Sequence, residues 1–245
     1  LARSLAPALS HGAAAADLIR PQAGLPRLHV LLDGGSAAIV AAALPGNCSD
    51  WPMGVPRLKM PGAAPSRATL KLHEAILTLL SGPEREAWFV PGMSAVDLGA
   101  APGGWTWQLV QRHLRVAAVD NATIAPALLD SGLVRHYRED GFRFRPAKPV
   151  DWMVCDMVEQ PARVAQLAAG WLARGWCQHA IFNLKLPMRR RYEELERCRA
   201  LIATALDGVP YELRIKQLFH DREEVTAYLG HGAIPKNRDR RKNPL

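Results

Sequence analysis

The sequence lacks any apolar run long enough to cross a bilayer. Its longest uninterrupted stretch, Ala37 to Leu44, falls far short of the roughly 18 to 20 residues that a span needs, so neither a transmembrane helix nor a membrane partner is expected. Cysteine is scarce: Cys48, Cys155, Cys177 and Cys198 lie far apart, with no CxxC pair and no nearby His pair to complete a zinc site. They read as reduced thiols of a cytoplasmic protein, and no metal centre is expected. Two phosphate signatures are also missing. No GxGxxG and no GK[ST] occurs, which argues against a pyrophosphate-cradling dinucleotide loop and against a P-loop. Acidic residues are in deficit, 23 against 31 basic, and the resulting +8 favours partners that carry phosphate.

What is present is an ordinary globular composition. The chain has 245 residues, 49% hydrophobic and 22% charged, enough to bury a core in one large domain or one domain with a small appendage. A mean hydropathy of -0.08 excludes disorder as the dominant state. Much of the charge excess is local: Lys236, Arg238, Arg240, Arg241 and Lys242 against Asp239 contribute +4 from the last ten residues. This tail reads equally as a solvated charge run or as an RNA-contacting segment. The N-terminal stretch is alanine-rich, opens without Met, and is followed by Asp17 and Arg20, which reads as the interior of a longer chain rather than a signal peptide.

Residues 28–32 and 37–44 read as strands joined by a turn at Asp33-Gly34-Gly35-Ser36. Prolines at 45, 52, 56, 61 and 65 prohibit regular structure and place a domain boundary near residue 65. A helix begins at Ser66, carries Lys71 in its first turns, and closes at Gly82-Pro83. Strands are then predicted over 95–98, 116–119, 134–137, 152–155 and 180–184, alternating with helices from Trp105, over 126–129, 162–172 and 189–206. Two last strands, 211–219 and 224–229, are too close in sequence for a helical crossover and should pair antiparallel. The fold class is therefore α/β: a seven-stranded, doubly wound, Rossmann-like sheet with an antiparallel last strand, preceded by a small α+β piece.

Asp97-Leu98-Gly99-Ala100-Ala101-Pro102-Gly103-Gly104-Trp105 sits where the first strand of that sheet turns into its helix, the place where such sheets bind nucleotide-like ligands. Glycine is needed there because the backbone turns sharply and approaches a ligand closely. Asp120 ends the next strand, where a carboxylate can accept both ribose hydroxyls, and Asp140 follows the third, where it can accept from an adenine amino group. Together these describe an adenosine without a pyrophosphate, as in S-adenosylmethionine (SAM). Glycine loops alone are often mere turns, but carboxylates at successive strand ends weaken that reading.

SRATLKL (66–72), DLGAAPGGW (97–105), VCD with Met157 after it, FNLKLPM (182–188) and DREEVT (221–226) resemble the FtsJ-like RNA 2′-O-ribose methyltransferases. EDGFRFRP (139–146) and PRLKMP (56–61) resemble the branch that modifies a cytidine ribose in bacterial 23S ribosomal RNA. The resemblance covers roughly residues 45–230. It implies SAM as cofactor and 23S ribosomal RNA, or a precursor ribosomal particle, as partner. It also implies that residues 1–65 are the rear of a THUMP-like RNA-binding domain plus linker, that 66–235 are the methyltransferase domain and 236–245 a basic tail, and that a further ferredoxin-like domain lies upstream. The family's Lys-Asp-Lys-Glu tetrad maps onto Lys71, Asp156, Lys185 and Glu224. Its cofactor contacts map onto Ala68, Gly99, Ala101, Pro102, Gly103, Gly104, Trp105, Asp120, Asp140 and Asp156. Ala68 departs from the family, which tends to have serine there, and that side-chain contact is lost.

In the implied reaction a ribose 2′-hydroxyl is aligned with the methyl group and Lys185 takes its proton, which calls for an amine pKa well below about 10.4. Asp156 and Glu224 oppose that shift, while Lys71, the cofactor's charge and burial favour it. In the alternative version Lys185 stays charged and only orients the hydroxyl. Taken singly, Lys185 is a snorkelling lysine, Asp156 a strand-end carboxylate and Lys71 an exposed helix lysine. Strand alternation allows only one of Glu223 and Glu224 into the site, and Glu224 is chosen because Glu-Val-Thr aligns with the family's Glu-Val-Tyr. Alternation also turns Cys155 away from the face of Asp156, so cytosine carbon-5 chemistry through a thiolate is disfavoured. Phosphate contacts are expected from Arg143, Arg145, Lys148, Arg189, Arg190, Arg191 and the tail. The competing classes are a non-catalytic, SAM-stabilised RNA-binding module and, more remotely, a nicotinamide enzyme. Oligomeric state is open, with a monomer as the default.

Overall fold

The computed structural model of the chain describes residues 2–17, 25–49, 51 and 54–231; the basic tail lies outside them. Two compact units divide between Pro56 and Arg57. The first unit holds a helix, α1 (Ala2–Ala15), where no element was expected. It also holds the hairpin β1 (Arg27–Asp33) and β2 (Ala37–Ala43), antiparallel with Asp33 opposite Ala37. Gly34 takes φ +71 in the turn, a conformation that needs glycine. Leu28, Val30, Leu31, Ile39 and Val40 stay exposed on the hairpin.

The second unit runs α2 (Thr69–Leu79), α3 (Gly82–Trp88), β3 (Ser94–Leu98), α4 (Gly104–Val110), β4 (Arg115–Val119), α5 (Pro126–Leu129), β5 (Val134–Tyr137), β6 (Val150–Cys155), α6 (Pro161–Ala173), β7 (Cys177–Lys185), α7 (Arg191–Ala205), β8 (Glu212–Lys216) and β9 (Glu224–Gly230). Its seven strands form one sheet in the order β5-β4-β3-β6-β7-β9-β8. The first five pair parallel, joined by helices except between β5 and β6, where the loop 138–149 crosses over. The chain's last strand, β9, runs antiparallel between β7 and β8, so β8 and not β9 is the edge. This order puts the carboxyl ends of β6 and β7 beside the start of β9.

Period-two alternation divides the side chains between two cores. On one face Trp152, Val154, Ile181 and Tyr228 pack with Leu72, Ile76 and Trp88 from α2 and α3 and Leu109 from α4. On the other Val96, Met153, Phe182 and Leu229 pack with Val164, Ala168, Cys198 and Ile202 from α6 and α7. Strands buried on both faces read as continuous apolar runs, which is why they were legible in the sequence.

Beyond the earlier starts of β6 at Val150 and β7 at Cys177, three differences from the sequence reading change an element. The helix expected from Ser66 starts at Thr69, after turns at Arg67 and Ala68. Gly82-Pro83, read as its closure, instead opens α3: Ser81 caps it, proline occupies the first turn, and the Glu84 carboxylate accepts from the Ser81 N–H at 2.6 Å. The strand expected over 211–219 stops at Lys216, and residues 217–221 form a loop. Edge strand β8 is tied to the helical layer by a fork. Arg214 donates from Nη1 and Nη2 to the two oxygens of Glu84 at 2.7 and 2.5 Å, and from Nη1 to the Leu79 carbonyl at 2.6 Å. That fork holds the Glu84 carboxyl down at about 2.

Candidate active site

The loop after β3 is shaped by glycine. Gly99 has φ +77, and a Cβ there would sit 2.5 Å from Met157 Cγ, so the position admits no side chain without displacing the chain beyond Asp156. Gly103, at φ +117, would meet Leu128 Cδ1 at 2.2 Å. The Asp120 carboxylate stiffens the loop by accepting from the Ala101 N–H at 3.0 Å and from Ala122 N–H at 2.8 Å. Asp140 accepts from Phe142 N–H at 2.8 Å.

Between these elements lies a cavity of about 500 Å³ lined by Gly99, Ala101, Asp120, Asp140, Asp156 and Met157, with Glu139, Glu159 and Arg163 at the same wall. Arg163 pairs with Glu159. A cavity with this many carboxylates and a single, already paired, arginine suits a cationic ligand and would repel a pyrophosphate. The residues present therefore fit SAM, whose ribose diol and amino groups need acceptors and whose sulfonium is positive. Beneath the loop Asp97 is fully buried and pushed up to about 7 by that burial, with Thr106 donating to its Oδ2 at 2.6 Å. Its Oδ1 has no partner among the described residues.

Half of the expected cofactor contacts line this cavity: Gly99, Ala101, Asp120, Asp140 and Asp156. Pro102, Gly103 and Gly104 build the loop and the start of α4 instead. Trp105 is 2% exposed in the core beneath it, so its ring packs and only its backbone is left to face a ligand. Ala68 lies at the mouth of a neighbouring cavity, beside Lys71 and Lys185.

The four tetrad residues meet in a closed ring. Lys71 pairs with Glu224 and lies 3.6 Å from Asp156. Lys185 Nζ donates to Asp156 Oδ1 at 2.9 Å and to Glu224 Oε2 at 3.1 Å. Sheet register explains the meeting: Lys185 and Glu224 are direct cross-strand partners on β7 and β9, and Asp156 follows β6, the other neighbour of β7. Lys71 reaches over from the first turn of α2. Glu223 points the other way, 66% exposed and paired with Arg191, as alternation required.

Beneath the ring lies a second layer that the sequence reading did not assign. Asn183 donates to Asp156 Oδ1 at 2.8 Å and accepts from Thr226 Oγ1 at 2.7 Å, and Thr226 is also 3.0 Å from Asp221 Oδ2. Asn183 and Thr226 are the cross-strand pair next but one to Lys185 and Glu224, so the same period of two that selects the ring selects them. Burial pushes Asp221 up to about 6.

The electrostatics correct one expectation. Burial is the largest single influence on Lys185 and favours the neutral amine, but Asp156 and Glu224 together outweigh it and hold the pKa above its ordinary value. The resting amine is charged, not poised for proton uptake. Glu224 is held below the ordinary carboxylate value: burial works against this, and the bonds from Lys71 and Lys185 exceed it. Cys155, on the opposite face from Asp156, is fully buried with its thiol pushed up to about 12, which removes it as a nucleophile. Arg145, expected to meet phosphate, is committed elsewhere: it donates to the Phe142 and Phe144 carbonyls and lies over Trp176. Arg143 is 88% exposed near Asp140. No His/Cys/Asp/Glu group that could hold a metal occurs among the described residues. Nor, among them, is any helix long and apolar enough to cross a membrane.

Fold and site define an FtsJ-like methyltransferase domain, and the model of the FtsJ-like methyltransferase family matches residues 64–185. Similar proteins carrying the name ribosomal RNA large subunit methyltransferase M are found in Methylococcus capsulatus, 61% identical over 89% of this chain and 62% of the relative, and in Azoarcus, 59% identical over 84% and 57%. The counterpart in Xylella fastidiosa is 51% identical over 95% of this chain and 67% of the relative. The chain belongs to the ribosomal RNA large subunit methyltransferase M family. It spans about three fifths of the length of the first relatives it matches.

Proposed function

We propose that this chain transfers a methyl group from SAM to the ribose 2′-hydroxyl of a cytidine in 23S ribosomal RNA. The observation that carries the reading is the closed ring of Lys71, Glu224, Lys185 and Asp156 at the rim of an acid-lined cavity. SAM supplies, when bound, an electrophilic methyl group on a sulfonium. The chain's own residues do the rest. Asp120 and Asp140 hold the nucleoside, with the Gly99 loop against it. The ring positions the hydroxyl, and fixed opposite charges do so with little reorganisation.

Lys185 Nζ is the proton acceptor in this proposal. Because Asp156 and Glu224 keep it protonated at rest, it acts through its minor neutral form. Asn183 and Thr226 keep Asp156 from rotating away. Residues 1–65 form part of a THUMP-like RNA-binding region, 66–235 the catalytic domain, and the tail 236–245 adds phosphate contacts. The enzyme works in the cytoplasm. The test is incorporation of labelled methyl into 23S ribosomal RNA from cells lacking the modification, by this chain and its Lys185→Ala variant. Wild type incorporates label and the variant loses roughly 100-fold or more. SAM binding without incorporation would refute the reaction.

A further inference from the structure

A second cavity, of about 690 Å³, opens on the other side of the ring and is lined by Arg67, Lys71, Lys185, Phe219, Arg222 and Glu224. Phe219 is 57% exposed there, so its ring is open to whatever enters beside Lys71 and Lys185. Its loop is not free to fold the ring away. Glu74 of α2, with its side chain 3% exposed, accepts from the Phe219 N–H at 2.9 Å, from the His220 N–H at 2.9 Å and from His220 Nδ1 at 2.7 Å. The His220 ring in turn braces Phe219 edge-on, 5.2 Å between centroids at 89°. Glu74 lies one helical turn beyond Lys71, so one helix holds both the catalytic ring and the phenyl ring in a fixed relation.

Resting on the RNA methyltransferase reading, we infer that Phe219 is a stacking platform for the base of the nucleotide presented to the lysine–carboxylate ring. The Lys185 side chain is recessed, 24% exposed, so in this inference the nucleotide is drawn out of its stack to bring its 2′-oxygen there, and its base needs a new partner. An aromatic face replaces the lost stacking without reading the sequence, and Arg67 and Arg222 on the same wall suit the flanking phosphates. Phe219 lines this cavity and not the acid-lined one, so it serves RNA and leaves cofactor binding untouched.

The test uses the whole chain and its Phe219→Ala, Phe219→Leu and Phe219→Trp variants. A fluorescent single-stranded oligocytidylate is the binding probe, and methyl transfer to unmodified 23S ribosomal RNA is the second readout. Loss of one stacked base predicts RNA binding weakened roughly 5- to 150-fold in Phe219→Ala, with the change in KM rather than kcat. Phe219→Leu stays close to the alanine variant, Phe219→Trp stays close to wild type, and SAM affinity is unchanged in all three, which shows the fold intact. Equal RNA binding and turnover by wild type and Phe219→Ala would overturn the inference while methyl transfer stands. Binding that falls in the order Trp, Phe, Ala without any methyl transfer would uphold the platform and sink the transferase reading. Absence of RNA binding by wild type would overturn the inference.

Discussion

Replacing Glu84 by glutamine is expected to destabilise the second unit by about 3 kcal/mol at neutral pH and by almost nothing near pH 2. The carboxyl is lowered from 4.5 to about 2, chiefly by the hydrogen bonds from Arg214, and one pKa unit is worth about 1.4 kcal/mol. Its side chain is 8% exposed and that of Arg214 27%, so solvent screening trims the figure to about 3 kcal/mol. A depressed carboxyl contributes its stability above the unfolded value of 4.5 and loses it as pH falls toward 2. Glutamine can still return the capping bond to Ser81, so the substitution removes the charge and keeps the helix start. Urea unfolding of wild type and Glu84→Gln at pH 7, 5 and 3 measures the gap directly. At pH 7 it corresponds to roughly 6 to 12 °C in Tm for a unit of this size. A gap below about 0.5 kcal/mol at pH 7, the usual spread of a neutral surface change, would refute the reasoning. So would a gap that persists unchanged at low pH.

Thr226→Val is expected to lower both stability and turnover. It leaves the fully buried Asn183 amide oxygen without its donor, a loss of about 1 to 3 kcal/mol by thermal melting, and Thr226→Ser should restore both. Single-turnover methyl transfer should climb with pH between 6.5 and 9, because the accepting form of a lysine held above its ordinary pKa grows about tenfold per unit. A flat profile would make Lys185 a charged anchor and not an acceptor. At pH 8 the buried Cys155 and Cys177, both pushed up to about 12, should resist a disulfide reagent until the chain is unfolded, while Cys48 reacts at once.

How much was legible in the sequence depended on how local the cause was. The Gly99 loop, the strand that feeds it and Asp120 at the end of the next strand follow from backbone sterics within about two dozen residues. The inward choice of Glu224 over Glu223 follows from alternation alone. Boundary errors had local ambiguity behind them: Gly82-Pro83 can end a helix or begin one, and only the Ser81–Glu84 capping box decides. Non-local features were invisible. Insertion of β9 between β7 and β8 is a matter of sheet order, and Glu74 meets Phe219 across 145 residues. The sign of the Lys185 shift was also out of reach, since it is a balance between burial and two carboxylates whose distances no sequence states.

The central claim is that the methyl group lands on a ribose oxygen. It is tested most directly by digesting the labelled RNA product with alkali, which cleaves next to every free 2′-hydroxyl and leaves a 2′-O-methylated position intact. The account predicts that the label is recovered in an alkali-stable dinucleotide with cytidine at its 5′ side, and that Lys185→Ala yields roughly 100-fold less or lower still. Label released as a mononucleotide with a methylated base would contradict it.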